Sequence, residues 1–283
     1  MPARELQWRT EPAGAGPGAT WAPGVLFGEG VRVGPRTRIM PGALLLDGCE
    51  VGADCVIGPY AVLGEPVREF YRDPAYRFGR TVVGDGAVIR GRCTIYTDVE
   101  IGDSFECGVG VLIRERTRIG RHVRVGSYSD LEGELTVGDY TRIHSNVHIA
   151  QGTTIGRYVW IHPFALVIND QFPPTGLTVV RAIVGDFSVL GAGALLFPGA
   201  RLGRHVIVAA GSRVAADVAD YQLVRGDPAR VVCDARRLVT EVDGKIVRPY
   251  PWMEHQRTGY PWERERPREW FGAPSEDDPG SGP

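Results

Sequence analysis

The chain has 283 residues, 43% of them hydrophobic, with 38 glycines, 21 prolines and a formal net charge of −2 at neutral pH. That hydrophobic share excludes a disordered glycine–proline polymer, the density of punctuating residues excludes a helical bundle, and the near-neutral balance without a long basic run argues against a nucleic-acid surface. No apolar run reaches the length of a membrane-spanning helix, and five cysteines without CxxC spacing fit a reducing, cytoplasmic setting.

Residues 1–26 read as an N-terminal arm. From Phe27 the chain can be written in sixes: FGEGVR, VGPRTR, IMPGAL, LLDGCE, VGADCV, IGPYAV. The frame is interrupted over 63–82, returns at Val83, runs to Phe172, is interrupted again over 173–183 and resumes from Val184 to Ala219. Of the 27 hexads, 25 carry Ile, Leu or Val at position 1, 24 carry Val, Ala, Thr, Ser or Cys at position 5, and 14 carry Gly at position 2. A shift of one residue erases all three columns together, so the period is a property of the chain.

Each hexad reads as a short strand and a corner, and three make one triangular coil. The pattern predicts an all-β parallel β-helix of about nine coils over 27–219, with positions 1 and 5 inside the prism. Position 2 is expected at a corner where a positive φ favours Gly. Residues 18 apart then stack, roughly 4.8 Å from coil to coil. Cys49, Cys55, Cys93 and Cys107 fall at inward positions and read as small buried hydrophobes, with Cys233 outside the repeat. The first interruption, LGEPVREFYRDPAYRFGRTV, is rich in aromatics and arginine and offers Tyr71 and Arg72 as substrate contacts. Residues 220–283 form a C-terminal extension with a hairpin turning at Asp243–Gly244 and, from Ser275, a tail of disordered composition.

These residues resemble the hexapeptide-repeat acyltransferases over the whole of 27–232. The resemblance implies a left-handed coil, a homotrimer with active sites between adjacent prisms, and acetyl-CoA or another acyl-CoA as cosubstrate, with no metal. The segment QGTTIGRYVWIHPFALVINDQFPPT resembles nucleotide-linked 3-amino-sugar N-acetyltransferases, which carry an Asn-Asp pair before an aromatic–Pro loop. The ending VRGDPARVV is similar to that of coenzyme A-dependent members, and GPYAVLGEP with its following loop is similar to the UDP-N-acetylglucosamine O-acyltransferases of lipid A synthesis. Where those relatives place Glu or a catalytic His, this chain has Gln151, a neutral amide that cannot take a proton. An amine acceptor suffers less from this than a hydroxyl, and Gln151→Glu is expected to be tolerated or to raise activity.

Stacking arithmetic assembles a candidate site. Glu115, Gly133, Gln151 and Asn169 share position 3 on one wall, each 18 residues from the next, and His144 and His162 share a corner column. His148 ends its hexad on the flat outer face. Asn169 is a candidate oxyanion donor, His148 or His162 the proton acceptor, and Gln151 an orienting residue, with Asp170 and His144 as substrate ligands. For the cosubstrate, Ala192 and Ala210 stack at position 3 where a pantetheine arm can approach the backbone, and Arg230 is placed to meet nucleotide phosphates. The leading reading is an acyl-CoA-dependent N-acyltransferase acting on an amino group of a nucleotide-linked sugar. The competing readings are an O-acyltransferase or an acyl-carrier-protein-dependent enzyme, a metal hydrolyase of the γ-carbonic anhydrase kind, and a non-catalytic structural β-helix.

Overall fold

The computed structural model describes residues 6–172 and 180–247. The chain folds as an all-β, left-handed parallel β-helix whose strands stack into three walls. Wall I starts at Gly14–Ala15 and has ten strands, wall II starts at Thr20–Trp21 and has twelve, and wall III starts at Leu26–Phe27 and has ten. Neighbouring strands pair in parallel with the register Arg124↔Arg142↔Trp160 and Asp130↔His148↔Leu166, an offset of 18. The interior is filled by positions 1 and 5, including all four repeat cysteines, and burial pushes the Cys49 thiol up to about 12.

The structure extends the prism at both ends. Ten complete coils form, and the first is made of residues assigned above to the arm, with Gly14↔Arg32 and Thr20↔Arg38 pairing. Its position 1 holds Ala15 and Trp21 in place of branched aliphatics, which hid it; Trp21 packs edge-on against Phe27 at 5.7 Å and closes the base. At the other end Gln222–Gly226 does not leave the prism: it adds to wall II against Ile207–Val208, and Ala229–Asp234 pairs back on it antiparallel. Residues from Ala235 form a separate unit containing the expected hairpin, Thr240–Val242 with Lys245–Val247, turning at Asp243 (φ 51°) and Gly244 (φ 73°). The tail from Ser275 and residues 173–179 of the second interruption lie outside the described residues.

Both interruptions leave at the same corner. The chain departs after Val62–Glu65 and after Leu166–Val167, both on wall III, and re-enters wall I at Thr81–Val83 and Ile183–Val184. The strand Val62–Glu65 keeps its register through Leu63, so the excursion proper begins later than the hexad frame indicates.

Position 2 glycines have a different cause from the one expected. The left-handed backbone falls at position 4, at Arg36 (φ 55°), Tyr60 (φ 57°), His122 (φ 57°) and Asn146 (φ 57°) among others. At position 2 the next coil lies too close for a side chain: a Cβ on Gly138 would stand 2.6 Å from the Arg157 nitrogen and 2.7 Å from the Gly156 oxygen. The corner from wall I to wall II holds Gly at this position in all ten coils, from Gly16 to Gly203. The corner from wall III to wall I instead carries Leu46, Tyr96, Arg114, Glu132, Ala150 and Ile168 there.

Over the tight corner stands a ladder of rings, His122–Tyr140–Tyr158–Phe187–His205–Tyr221, with centroids 4.7–5.1 Å apart and near-parallel planes. Burial lowers the His205 imidazole to about 4, and its Nδ1 has no hydrogen-bond partner among the described residues.

Gly138→Ala is expected to cost more than about 2 kcal/mol of stability, because backbone must move, whereas Gly30→Ala, with open space around its Cβ and φ +71°, should cost about 1 kcal/mol. Chemical unfolding of the two variants checks the order. Because the unfolded His205 titrates near 6.5 and the folded one near 4, its contribution is full above pH ~6.5 and is lost as pH falls toward 4. His205→Phe should flatten that acid limb in thermal unfolding; an unchanged limb assigns it to other groups.

Candidate active site

The end of wall III, where it turns toward wall I, holds a connected set of polar side chains. His148 lies on the wall between Asp130, one coil below, and Glu132: its Nδ1 is 3.3 Å from Asp130 Oδ2 and its Nε2 is 3.8 Å from Glu132 Oε1. The other oxygen of Glu132 accepts the Gln151 backbone N–H at 3.3 Å. Gln151 Nε2 donates to Glu134 Oε1 at 2.9 Å, and Asn169 Nδ2 donates to the Gln151 carbonyl at 3.1 Å. Arg116 (2.6 Å) and Arg181 (2.9 Å) clamp the Glu134 carboxylate, Arg181 reaching back from the far end of the second interruption. Gly152 makes room for it: a Cβ there would stand 2.6 Å from Arg181 Nε.

Of the residues singled out from the sequence, the fold therefore brings His148, Gln151 and Asn169 into one network. Asp130, Glu132, Glu134, Arg116 and Arg181 were missed. Stacking arithmetic carried to positions 2, 4 and 6 would have found most of them, since Asp130 lies 18 residues below His148 and Glu132 and Glu134 lie 18 below Ala150 and Gly152. Arg181 carries no such signal, because the interruption shifts its register. Asp170 commits Oδ1 to the Phe172 N–H at 3.0 Å and so shapes its own turn.

The remaining candidates stand apart. His144 and His162 stack face to face, 5.5 Å between centroids and 2° between planes, beside Trp160 at the opposite edge of wall III, where wall II turns into it. Ala192 and Ala210 continue that edge upward, exposed, with Gly193 N–H bonded to the Pro163 carbonyl and Gly211 N–H to that of Ala192. Arg230 is exposed on the strand Ala229–Asp234, opposite Arg225. Tyr71 belongs to the first interruption, where it donates to Glu65 at 3.3 Å, and Arg72 follows it, exposed. Four coil steps separate the Leu63 and Ile149 rungs, roughly 19 Å, so Tyr71 and Arg72 do not join the His148 network within one chain. A groove of about 470 Å³ on wall I, lined by Arg32, Glu50 and Val82, touches none of these residues.

The electrostatics separate the imidazoles. The hydrogen bond to Asp130, with the charge of Glu132, raises His148 above its ordinary range. Burial lowers His144 and His162, and the neighbouring His162 and Arg142 disfavour charge on His144 further. An acceptor carboxylate on Nδ1 leaves Nε2 of His148 as the proton-accepting nitrogen. Asp130, Glu132 and His148 offer ligand atoms within 4.8 Å of one another. Yet the two carboxylates address opposite ring nitrogens, an arrangement that holds an imidazole and its proton better than it holds an ion shared by three donors. Asp130→Asn should lower the His148 pKa while leaving His144 and His162 below 6.5. Histidine NMR titration reads this directly; a His148 that does not move would detach it from Asp130.

Comparison with known proteins bears on the repeat. Residues 30–65 match the family model "Bacterial transferase hexapeptide (six repeats)". The bifunctional protein GlmU of Thermosynechococcus vestitus is 30% identical over 139 residues, 49% of this chain and 30% of that protein. GlmU of Listeria innocua is 24% identical over 160 residues, 51% of this chain and 34% of that protein. The chain thus spans about a third of the length of these curated relatives. Among solved structures, a UDP-N-acetylglucosamine acyltransferase from Campylobacter jejuni aligns over 75% of this chain and 74% of its own, with 16% identity and a TM-score of 0.40. A hexapeptide-repeat acetyltransferase from Vibrio cholerae, complexed with acetyl coenzyme A, aligns over 35% of this chain and 60% of its own, with 28% identity and a TM-score of 0.33. Residues 30–65 carry the hexapeptide repeat of that family model, and the repeat is what builds the prism.

Proposed function

We propose that the chain is an acyltransferase moving an acyl group, acetyl in the simplest case, from a coenzyme A thioester to the amino group of a nucleotide-linked sugar. The observation that carries the reading is His148, held by Asp130 at Nδ1 and facing Glu132 with Nε2, where that carboxylate stabilises a proton taken up, in one network with Gln151 and Asn169. In the step this arrangement supports, the amine lone pair attacks the thioester carbonyl carbon and the amine proton passes to His148 Nε2. The tetrahedral intermediate then collapses with cleavage of the C–S bond, and the coenzyme A thiolate leaves. Asn169 has one amide N–H on the Gln151 carbonyl and a second for the developing oxyanion.

Donor and acceptor groups fall on opposite edges of wall III: Ala192, Ala210, His144 and His162 on one, Gln151, Asn169 and Glu134 on the other. A cyclic homotrimer brings one edge of each prism against the other edge of its neighbour, so each site takes its donor half from one subunit and its acceptor half from the next. The Asp130–His148 pair is also the device a hydroxyl acceptor requires, so O-acyl transfer, from coenzyme A or a carrier protein, is the second reading.

The deciding measurement is thioester consumption with amino- and hydroxy-sugar nucleotides as acceptors. With an amine, His148→Ala should lose about 10²-fold near neutrality and recover as pH rises and the free amine becomes abundant; a hydroxyl acceptor should show no recovery. Undiminished activity in His148→Ala and Asn169→Ala would remove the network from the chemistry. Mixing inactive His148→Ala with inactive Ala210→Trp subunits should restore about a quarter of the sites if halves come from different subunits, and none if each chain works alone.

A further inference from the structure

Gln151 is the position at which this chain departs from its resembled relatives, and the structure fixes which end of its amide is available. Its Nε2 donates to Glu134 Oε1 at 2.9 Å, while no described residue donates to its Oε1. An ionised carboxylate only accepts hydrogen bonds, so Glu134 admits the NH2 end of the amide and rejects the oxygen end. Two guanidiniums, Arg116 at 2.6 Å and Arg181 at 2.9 Å, keep Glu134 charged and in place, and the Arg116 hydrogen bond holds its carboxyl below the ordinary carboxylate range. Glu134 itself sits in the left-handed region, φ 53°, at the corner of its coil.

We propose that Glu134 is a positioning residue that turns the Gln151 carbonyl oxygen toward the acceptor and thereby selects an amine over a hydroxyl. This rests on the acyl-transfer reading above. A primary amine has two N–H groups and a lone pair: one N–H meets Gln151 Oε1, the other meets His148 Nε2, and the lone pair faces the thioester. A hydroxyl has one hydrogen. Giving it to His148 leaves the hydroxyl oxygen against the Gln151 oxygen with no proton between them, an unpaired buried acceptor. The same geometry reverses the expectation for Gln151→Glu: a carboxylate there would face Glu134 at hydrogen-bond distance, two like charges in one place, and activity should fall.

The test measures kcat/KM for an amino-sugar nucleotide and its hydroxy counterpart, with acetyl-CoA, in wild type, Glu134→Gln, Gln151→Ala and the double variant. Glu134→Gln, which can donate or accept and so lets the Gln151 amide turn, should lower kcat/KM for the amine about tenfold and raise the hydroxyl value. In the Gln151→Ala background it should do nothing further. Equal losses for both acceptors, or losses that multiply in the double variant, would make Glu134 a merely structural anchor and overturn the assignment. The orientation is read without turnover from the side-chain amide resonance of Gln151 in 15N-glutamine-labelled protein, identified by its loss in Gln151→Ala. That resonance should shift in Glu134→Gln; if it stays, the assignment fails whatever the kinetics show. A wild type inactive with every amine and hydroxyl acceptor defeats the acyl-transfer reading instead, and the resonance then still decides whether Glu134 orients Gln151.

Discussion

The close approach of successive coils at the corner between walls I and II is the constraint on which the prism depends. There the backbone of one coil rests on the backbone of the next, ten glycines in a column leave no room for a Cβ, and the Asp139, Asp186 and Asp220 carboxylates cap the N–H groups one coil below. Neither propensity nor side-chain packing produces this contact; it is steric exclusion combined with parallel hydrogen bonding. The rings of the ladder from His122 to Tyr221 stand over the same corner and repeat the coil spacing. One edge of the prism is thereby made stiff and regular, and the chemistry is displaced to the others.

The corner from wall III to wall I is the complement of that edge. Beyond Gly28 and Gly64 side chains replace glycine at position 2, both interruptions leave the prism there, and acidic groups gather around a single imidazole. Asp130, Glu132 and Glu134 would repel one another if left alone. His148, the Gln151 amide and N–H, and the Arg116 and Arg181 guanidiniums are interleaved among them so that each carboxylate meets a donor. The network is thus self-compensating, with Gln151 Oε1 as its open end and His148 Nε2 facing Glu132. At the other edge of the same wall, the stacked pair His144–His162 is tuned the opposite way, toward neutrality by burial. One wall therefore presents imidazoles of two kinds, and the carboxylates around His148 are what separate them.

The repeat was legible because its physics is local and periodic: a misplaced position 1 or 5 would put a polar group inside the prism at every coil. From it follow the parallel stacking, the burial of Cys49, Cys55, Cys93 and Cys107, and the 18-residue columns that align Gln151 with Asn169. The reason for glycine at position 2 was misread, because a sequence does not distinguish a residue excluded by a neighbour from one chosen for its φ. The first coil escaped notice since its inward places hold Ala15 and Trp21, and the end was set too early because Gln222–Gly226 pairs without following the hexad frame.

By itself the sequence determined the repeat, the inward columns and the coils on which candidate residues stack, since these depend only on spacing along the chain. The tertiary structure alone decided which candidates share a network. That choice depends on which corner a side chain occupies and on what approaches from outside the period. Arg181 reaches Glu134 across 47 positions because an interruption carries it there, and Glu134 in turn fixes which atom of Gln151 is exposed. Tyr71, by contrast, is held several rungs away by its bond to Glu65. Spacing gives the column; the direction of each hydrogen bond within it is settled only when acceptor-only and donor-only groups are brought face to face.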